Sequence, residues 1–301
     1  EMQVLNFGSL NVDYVYRVAH MMRPGETQQS YGMEVFAGGK GMNQSIAAAR
    51  AGAQIYHAGM VGKDDGQFLL DICRENHVNT DFIRVIDGKS GHTIIQVDDN
   101  AQNCILLYGG SNRRFTKEYV DEVLAKFGAD DFLILQNETN LLDYIIDRAY
   151  EKGMKIILNP SPFDEGLNSC DLSKVSVFLV NEIEGRQLAG AAFETEEDGN
   201  RLVDAILKVY PKAQVVLTMG DKGAFYGGGE KRHYQPCFQV KAVDTTAAGD
   251  TFTGYFVFGL LNGYEIEKSL ELAAKEASIE VSRSGAVPSI PVMEEVAGKN
   301  E

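Results

Sequence analysis

Short apolar segments alternate with helical periodicity from about Asp121 onward, and this alternation restricts the possible folds more than any other feature. Strands joined through helices build a parallel sheet whose two faces are both covered by helices. We therefore predict an α/β fold, a three-layer α/β/α sandwich with a mostly parallel central sheet. The candidate strands of this sheet lie at residues 132–135, 155–158, 177–180 and 215–218.

The first 110 residues show a different pattern, made of short segments with alternating polarity. A first apolar strand at residues 4–8 is followed by candidate strands at residues 12–18, 31–36, 93–97 and 104–108. The turn Asp98-Asp99-Asn100 between the last two is typical of a hairpin. We predict a small antiparallel sheet apart from the main body, formed by residues of about 11–37 and 89–110. An alanine-rich stretch at residues 42–51 predicts a helix.

Composition excludes several classes of partner. The chain of 301 residues carries a formal net charge of −15, and such a surface repels nucleic acid and anionic membranes. No apolar run reaches the roughly 18 residues of a membrane span. The first residues show no basic segment followed by an apolar run, so we expect a cytoplasmic protein without a secretory signal. Four scattered cysteines and five dispersed histidines predict reduced, buried thiols and no zinc cluster.

Polar clusters follow the predicted strands of the main sheet at the points where the strands end. Ligands on such sheets bind at the carboxyl ends of the strands. This repeated placement therefore predicts a ligand site at one edge of the sheet. The clusters are Gln136-Asn137-Glu138, Asn159-Pro160, Asn181-Glu182 and Met219-Gly220-Asp221.

The segment from Asp244 to Phe252 predicts an anion site with a general base. It joins an alternating segment at residues 238–243, which predicts a strand, to an apolar helix reaching about Leu261. The small residues Ala247, Ala248 and Gly249 allow a ligand to approach the free N–H groups of the helix start, where the helix dipole favours a phosphoryl group. Asp250 in the first turn could accept the proton of an attacking hydroxyl. The alternative is an N-terminal Asp that stabilises the helix alone.

A glycine-rich segment, Gly38-Gly39-Lys40-Gly41-Met42-Asn43-Gln44, is the second candidate site. Its glycines allow unusual backbone conformations or close approach of a ligand. The spacing fits neither a phosphate-binding P-loop nor a dinucleotide-binding loop. Asn43, one turn into a helix, favours recognition of hydroxyl groups on a polar small molecule. A plain glycine turn before a helix remains the alternative.

Three weaker candidate sites accompany these segments. Asn11 and Asp13 share one face of an extended chain and could bind vicinal hydroxyls, or could cap a turn. Asn181 and Glu184 could hold water around a nucleotide-bound Mg²⁺, or could cap a helix. The strand exit that follows residues 215–218 could contact the phosphates and the nucleotide through Thr218, Gly220 and Gly223.

Together and in this order, the segments resemble the ribokinase-like (PfkB) carbohydrate kinases. The resemblance covers nearly the whole chain, from Gly8 to Ser289, and its most specific signatures are residues 38–44 and 244–250. It implies a single catalytic domain over residues 1–301, with the small sheet as a lid. It also implies an enzyme that moves the γ-phosphoryl group of ATP to the 5-hydroxyl of a pentose, with D-ribose favoured. Further matching segments are Pro24-Gly25-Glu26-Thr27, Gln136-x-Glu138 and Leu158-Asn159-Pro160-x-Pro162.

The resemblance also implies roles for individual residues. Asp250 would be the general base, beside an anion hole formed by Ala247, Ala248 and Gly249. Mg²⁺–ATP would be organised by Asn181 and Glu184, with nucleotide contacts from Thr218, Gly220 and Gly223. The sugar would be bound by Asn11, Asp13, Gly39, Lys40, Asn43 and Glu138. A monovalent cation, preferably K⁺, would be held by Asp244, Thr246, Gly285 and Ser289, and a homodimer would form through the lid.

Two departures from the family pattern leave the acceptor open. Met42 replaces a residue that is usually small, and His92 lies in a lid strand where the family differs. We expect His92 to be a partly exposed strand residue. A kinase of the same fold acting on fructose, deoxyribose or a nucleoside is one alternative. A non-catalytic sugar- or nucleotide-binding protein is another, and a dinucleotide-dependent oxidoreductase lacks the required glycine pattern.

Overall fold

The computed structural model describes residues 1–242, 247–283, 287 and 290–293. Its larger sheet has nine strands in the order β13-β12-β11-β10-β9-β8-β1-β4-β5, of which the last seven in this order are parallel and β12 and β13 are antiparallel. The strands are β1 Val4–Phe7, β4 Ile55–Gly62, β5 Asn79–Ile86, β8 Phe132–Leu135, β9 Lys155–Leu158, β10 Val177–Asn181, β11 Gln214–Thr218, β12 Ala224–Gly228 and β13 Lys231–Gln235.

Helices cover both faces of this sheet, as predicted for a three-layer sandwich. Successive strand residues point to opposite faces, so Val4 belongs to one apolar core and Leu5 to the other. The first core includes residues of α1 Lys40–Ala51, α2 Gln67–Glu75, α7 Ala248–Leu261 and α8 Ile266–Val281. The second includes residues of α3 Lys117–Leu124, α4 Leu142–Glu151, α5 Glu182–Ala189 and α6 Gly199–Val209.

The strand order reverses direction at β1, and this reversal positions the candidate site. β1 lies between β4 and β8, and it is parallel to both. Connections to its two neighbours therefore leave toward opposite sides and open a crevice at the carboxyl edge of the sheet. The predicted polar clusters after β8, β9, β10 and β11 all lie at this same edge.

The lid is a separate sheet of four strands in the order β3-β2-β6-β7. Its strands are β2 Asn11–Arg17, β3 Gly32–Gly38, β6 Gly91–Val97 and β7 Asn103–Tyr108. The prediction of an antiparallel sheet was wrong for the central pair, because β2 and β6 are parallel. β2 follows β1 and β6 follows β5, and these two strands of the main sheet point the same way. Both lid strands consequently leave the main body in one direction.

The strand predicted at residues 238–243 is absent over its described part, 238–242. Among the described residues, the last strand before α7 is β13, which ends at Gln235. Pro236 follows directly, and proline has no N–H group to continue the ladder. The chain then leaves the sheet and lines a cavity.

Two further observations concern the thiols and membrane spans. Cys73 is buried as expected, but Cys104 in the lid is exposed, and Cys170 and Cys237 are partly exposed. The expectation of four buried thiols was therefore wrong for three of them. Within the described part of the chain, no helix is both long and apolar enough to cross a bilayer.

Candidate active site

Asp250 lies in the first turn of α7, almost completely buried at 4% exposure. Each of its carboxylate oxygens accepts an amide hydrogen bond from α1. Gln44 Nε2 donates to Oδ1 over 3.1 Å, and Asn43 Nδ2 donates to Oδ2 over 3.1 Å. The Lys40 ammonium group lies 3.9 Å from Oδ1. The Asp250 carboxylate thus lies between two amide donors and an ammonium group.

The start of α7 adjoins open space on the other side of Asp250. Ala248 and Gly249 line a cavity of about 370 Å³, and a Cβ added at Gly249 would meet no atom of the described residues within 4 Å. Ala247 is buried, and its N–H donates to Glu280 Oε1 over 3.1 Å. Glu280 was not predicted from the sequence, although it anchors the residue that precedes α7. The free N–H groups of this first turn can bind an anion that enters from the cavity.

The exit of β11 lies across the same cavity. Thr218, Gly220 and Gly223, the predicted nucleotide contacts, all line it. Gly223 has a φ of +91°, and a Cβ there would lie 2.4 Å from the Gln235 carbonyl oxygen. No other residue type fits this close approach of two backbone segments. The remaining lining is mostly apolar, and it suits a flat heterocycle.

Asn181 and Glu184 form a capping box at the start of α5. Asn181 Oδ1 accepts from the Glu184 N–H over 2.9 Å, and Glu184 Oε1 accepts from the Asn181 N–H over 3.1 Å. The capping alternative is therefore present in the structure. Both residues nevertheless line a smaller cavity of about 70 Å³ with Asp250 and Lys40. Burial is the main cause that raises the pKa of Glu184.

The glycine-rich loop is held against Glu138 and Ser9. Glu138 Oε1 accepts from Ser9 Oγ over 2.6 Å and from the Lys40 N–H over 2.8 Å. The Gly41 N–H donates to Ser9 Oγ over 3.1 Å. Gly39, at φ +92°, allows the sharp turn into α1. Ser9 was not singled out from the sequence as a separate site residue, although it joins the loop to Glu138.

The positive charge of Lys40 interacts with three carboxylates. Its pKa is raised, mainly by the Asp250 carboxylate and further by Glu138 and Glu184. The ammonium group is partly exposed toward the smaller cavity. A cation at this position can attract an incoming phosphoryl group and partly offset the charge of the carboxylates around it.

Asn11 and Asp13 lie at the start of β2, each with one oxygen already bonded. Asn11 Oδ1 accepts from Asn112 Nδ2 and Asp13 Oδ1 accepts from Thr93 Oγ1, both over 2.6 Å. The Asn11 amide hydrogens and Asp13 Oδ2 form no hydrogen bond with a described residue, and they remain for a ligand. Burial raises the pKa of Asp13 to about 6, against the lowering effect of Thr93, and the charge of Glu138 adds to the rise.

Asn43 carries an acceptor that the described residues leave unused. Its Oδ1 is buried and has no hydrogen-bond partner there, whereas its Nδ2 donates to Asp250. A buried polar atom without a partner costs free energy unless a ligand or water satisfies it. This atom therefore indicates where a hydroxyl group of a ligand would donate.

Met42 and His92, the two departures from the family pattern, have structural explanations. Met42 is fully buried and packs in an apolar core. His92 is partly exposed, as expected, with its ring centroid 6.0 Å from that of Tyr14 and 5.0 Å from that of Tyr108. The remaining predicted residues, Asp244, Thr246, Gly285 and Ser289, lie outside the described residues.

The site thus joins three parts around Asp250. Polar groups from β2, the glycine-rich loop and Glu138 lie on the side of the lid. A cavity that can hold a nucleotide lies on the side of β11, and the N–H groups of α7 lie between. A carboxylate, an anion site and a cation in this arrangement can support phosphoryl transfer to a hydroxyl.

Comparisons with known proteins agree with this geometry. The ribokinase of Haemophilus influenzae is 33% identical over 96% of this chain and 95% of its own length. The ribokinase of Cryptococcus neoformans, solved with ADP, covers 99% of this chain and 100% of its own at a TM-score of 0.88 and 29% identity. The ribokinase of Arabidopsis thaliana, solved with ribose and ATP, covers 99% and 98% at a TM-score of 0.85 and 27% identity. The model described as pfkB family carbohydrate kinase matches residues 2–293. The chain therefore belongs to the pfkB family of carbohydrate kinases.

Proposed function

We propose that this protein transfers the γ-phosphoryl group of ATP to the 5-hydroxyl of D-ribose. The observation that carries the proposal is Asp250, a buried carboxylate between a polar pocket and a nucleotide-sized cavity. Relatives named ribokinase, one of them solved with ribose and ATP, support ribose as the acceptor.

Asp250 acts as the general base of the reaction. The 5-oxygen of the sugar attacks the γ-phosphorus, the bond from that phosphorus to the β,γ-bridging oxygen breaks, and ADP leaves. The hydroxyl proton passes to the Asp250 carboxylate. The N–H groups at Ala248 and Gly249, together with Lys40, stabilise the charge on the transferring group. Water is the competing acceptor, and closure of the lid over the sugar would exclude it.

The sugar is held by groups on the lid side of Asp250. Asp13 Oδ2 and Asn43 Oδ1 accept from sugar hydroxyls, and the Asn11 amide donates to a sugar oxygen. Glu138 contributes its second oxygen, and Gly39 allows the sugar to approach the backbone beside Lys40. The hydrogen bonds that Asn112 donates to Asn11 Oδ1 and Thr93 donates to Asp13 Oδ1 support this assignment, because they leave the Asn11 amide hydrogens and Asp13 Oδ2 for the sugar.

Two metal ions are part of the proposal. Glu184 would hold water around Mg²⁺, and this ion would neutralise charge on the phosphates of ATP. The Glu184 carboxylate lines the smaller cavity together with Asp250 and Lys40, on the path between the nucleotide cavity and the proposed base. For K⁺, the candidate ligands Asp244, Thr246, Gly285 and Ser289 are supported by the family pattern in the sequence.

We further propose a cytoplasmic location, supported by four free thiols.

Release of ADP from Mg²⁺–ATP across a panel of sugars and nucleosides tests the proposal, with and without K⁺. Turnover on ribose that K⁺ increases is the expected result. Turnover only on fructose, deoxyribose or a nucleoside would retain the mechanism and change the acceptor. Binding of sugar and nucleotide without turnover would favour the non-catalytic alternative.

The pKa of Asp13 predicts how sugar binding depends on pH. Below pH 6 the carboxylate takes up a proton, since burial raises its pKa to about 6, and it loses its strength as an acceptor. We expect KM for ribose to rise about tenfold per pH unit there. In the Asp13→Asn variant KM should be high and flat between pH 5 and about 7. A wild-type KM that stays constant over this range contradicts the assignment.

Unfolding does not explain such a rise. Because the folded-state pKa of Asp13 exceeds its usual value of 3.8, the folded protein binds this proton more tightly than the unfolded chain. The contribution of Asp13 to stability therefore increases as pH falls through 6. Thermal unfolding measured over the same pH range separates the loss of binding from any loss of the fold.

We propose that two copies of the chain associate through the lid. β7 is an edge strand, and its apolar side chains are exposed on both faces, among them Leu106 at 68% and Ile105 at 56%. Exposed apolar edges of this kind favour pairing with a second chain.

Leu106→Lys should convert a dimer to a monomer, because it places a charge in the proposed contact. Light scattering after size-exclusion chromatography measures the mass directly. Val209→Lys is the matched control, since Val209 is an exposed apolar residue at the end of α6. A wild-type protein that is monomeric at every concentration contradicts the dimer, and so does an equal response of both variants.

A further inference from the structure

Gln44 contacts Asp250 from a position that no substrate can reach. The side chain is fully buried, one residue after Asn43 in α1. Its Nε2 donates to Asp250 Oδ1 over 3.1 Å and to Asn159 Oδ1 over 3.2 Å. Two amide hydrogens thus meet two acceptors, and neither is left for a ligand. Gln44 therefore acts on the proposed base through its bond to Asp250 Oδ1, and its second partner, Asn159, in turn donates to Glu184 Oε1 over 3.4 Å.

One side of the Gln44 amide is oriented by a backbone carbonyl. Asn159 Nδ2 donates to the Leu179 carbonyl oxygen over 2.9 Å. A carbonyl oxygen only accepts, so the nitrogen of Asn159 must face Leu179 and its oxygen must face Gln44. The Gln44 group that meets Asn159 is therefore the NH₂ group.

The other side is oriented in the same way through two further amides. Asn6 Nδ2 donates to the Gly41 carbonyl oxygen over 2.8 Å, so Asn6 Oδ1 faces Gln136. Gln136 Nε2 donates to Asn6 Oδ1 over 3.0 Å and to Gln44 Oε1 over 2.8 Å. The oxygen of Gln44 is thereby held toward Gln136.

A buried branch supports the position of Asn6. Asn6 Nδ2 also donates to Ser45 Oγ over 2.8 Å, and Ser45 Oγ lies 2.7 Å from His57 Nδ1. His57 Nε2 lies 3.0 Å from the Gly8 carbonyl oxygen and must donate to it, so Nδ1 accepts. Burial lowers the pKa of His57 to about 4. The ring therefore stays neutral at the pH of an assay.

Reversing the Gln44 amide would oppose all of these contacts. Its oxygen would face the oxygens of Asp250 and Asn159, and its NH₂ group would face the NH₂ group of Gln136. Three hydrogen bonds would be lost in a buried site, where unpaired polar groups cost the most. Only one orientation of Gln44 is stable.

We propose that Gln44 is a positioning residue that orients the Asp250 carboxylate, and that Gln136 holds Gln44 in its donating orientation. The inference depends on the proposed function, in which Asp250 is the general base. Because the chain of amides starts at the Gly41 carbonyl, it also ties the orientation of the base to the loop that holds the sugar. This gives Gln136, which contacts neither substrate, a defined effect on the chemical step.

Gln44→Met, Gln136→Met and the double variant test this chain of amides. Methionine has a length and volume close to those of glutamine and forms no comparable hydrogen bond. The rate of the chemical step is measured in single turnovers at saturating ribose and ATP, across pH. Asn137→Leu is the matched control, because Asn137 is the neighbouring buried amide and its bonds run to Pro162 and Asp164 instead.

Several charged groups face Asp250 and are unchanged in these variants. Lys40 from the start of α1 and Glu184 from α5 line the same small cavity. Glu138 lies close enough to Lys40 to influence its pKa. Saturating ribose removes the separate effect of Asp13 on sugar binding. A shift of the acid limb in a Gln44 variant therefore reports the lost hydrogen bond to Asp250.

We expect Gln44→Met to lower the chemical rate about 10- to 100-fold, as for loss of a hydrogen bond to a charged group. KM for ribose and ATP should stay within about threefold. The acid limb should also change its position, since the variant lacks the Gln44 donor to the Asp250 carboxylate. Gln136→Met alone should lower the chemical rate about 3- to 10-fold. In the Gln44→Met background it should lower that rate by less than about twofold, because Gln136 acts through Gln44.

Additive losses in the double variant, or an acid limb that stays in place, would overturn the proposal and leave Gln44 as a packing residue. If Gln44→Met does not bind ADP and hence has not folded, Gln136→Met decides alone through the same pH measurement. The proposed function fails separately, by absence of turnover in the wild type or by full turnover in Asp250→Asn. Asn137→Leu should leave the acid limb in place. Any effect that it has on the chemical rate should be additive with that of Gln44→Met.

Discussion

The Asp250→Asn variant should lose about a thousandfold or more of kcat while it keeps its affinity for ADP. A positioned general base contributes about 10²- to 10⁴-fold to such reactions. In the wild-type protein, Asn43 and Gln44 each donate a hydrogen bond to one oxygen of the Asp250 carboxylate. The asparagine would place an NH₂ group against one of these two donors. The variant therefore loses both the proton acceptor and the orientation of the side chain.

ADP affinity by calorimetry and single-turnover rates with ATP and ribose check this result together. Asp131→Asn is the matched control, because Asp131 is also a buried aspartate. It precedes β8 at the opposite edge of the sheet, where its carboxylate accepts from the N–H groups of Gln3 and Gly128. That variant should lower stability and retain kcat. Equal losses of nucleotide affinity and turnover in Asp250→Asn would contradict the assignment of Asp250 as the base.

The main sheet could be predicted because its strands are uniformly apolar and short. Residues 155–158 were predicted as the strand that the structure shows, β9, and α7 ends at Leu261 as expected. The direction of strand pairing in the lid could not be predicted from the sequence in the same way. Alternating polarity predicts strands but contains no information on their relative direction, and the parallel pair β2–β6 follows from how both strands leave the main body.

The segment at residues 238–242 shows a second limit of predicting strands from the sequence pattern. Its alternation of apolar and polar residues satisfies the pattern of a strand equally well. The structure uses Phe238, Val240 and Ala242 to line a cavity instead. A cavity wall and a half-buried strand both present apolar side chains on one side, and periodicity alone does not distinguish them.

The candidate site divides in a similar way. The residues that we propose contact ligands stood out because glycines, carboxylates and amides follow strand ends in a recognisable order. Ser9 and Asn112, which orient them, did not stand out, since they are polar residues of common types in buried positions. Their importance depends on contacts between residues about 100 positions apart, such as Asn112 with Asn11. Such contacts exist only once the chain has folded.

The Gly249→Ala variant should separate the anion site from the stability of the fold. Gly249 is the second residue of α7, and within the described part of the chain no atom lies within 4 Å of a Cβ added there. Alanine has a higher helix propensity than glycine, so Tm should stay the same or rise slightly. The residue lines both cavities around Asp250, where we propose that the transferring phosphoryl group approaches the helix.

In that space the added methyl group would displace the phosphoryl group rather than a residue that the structure describes. A displacement of about 1 Å at a reacting group can lower the rate about 100-fold, and loss of an anion-hole hydrogen bond has a similar effect. We therefore expect kcat/KM for ATP to fall about 100-fold with Tm unchanged, measured by steady-state kinetics and thermal unfolding. Gly128→Ala, another glycine with open space around its Cβ position, should leave kcat/KM unchanged. Full activity in Gly249→Ala would show that the phosphoryl group does not approach the start of α7, and the anion site would then have to lie elsewhere in the crevice.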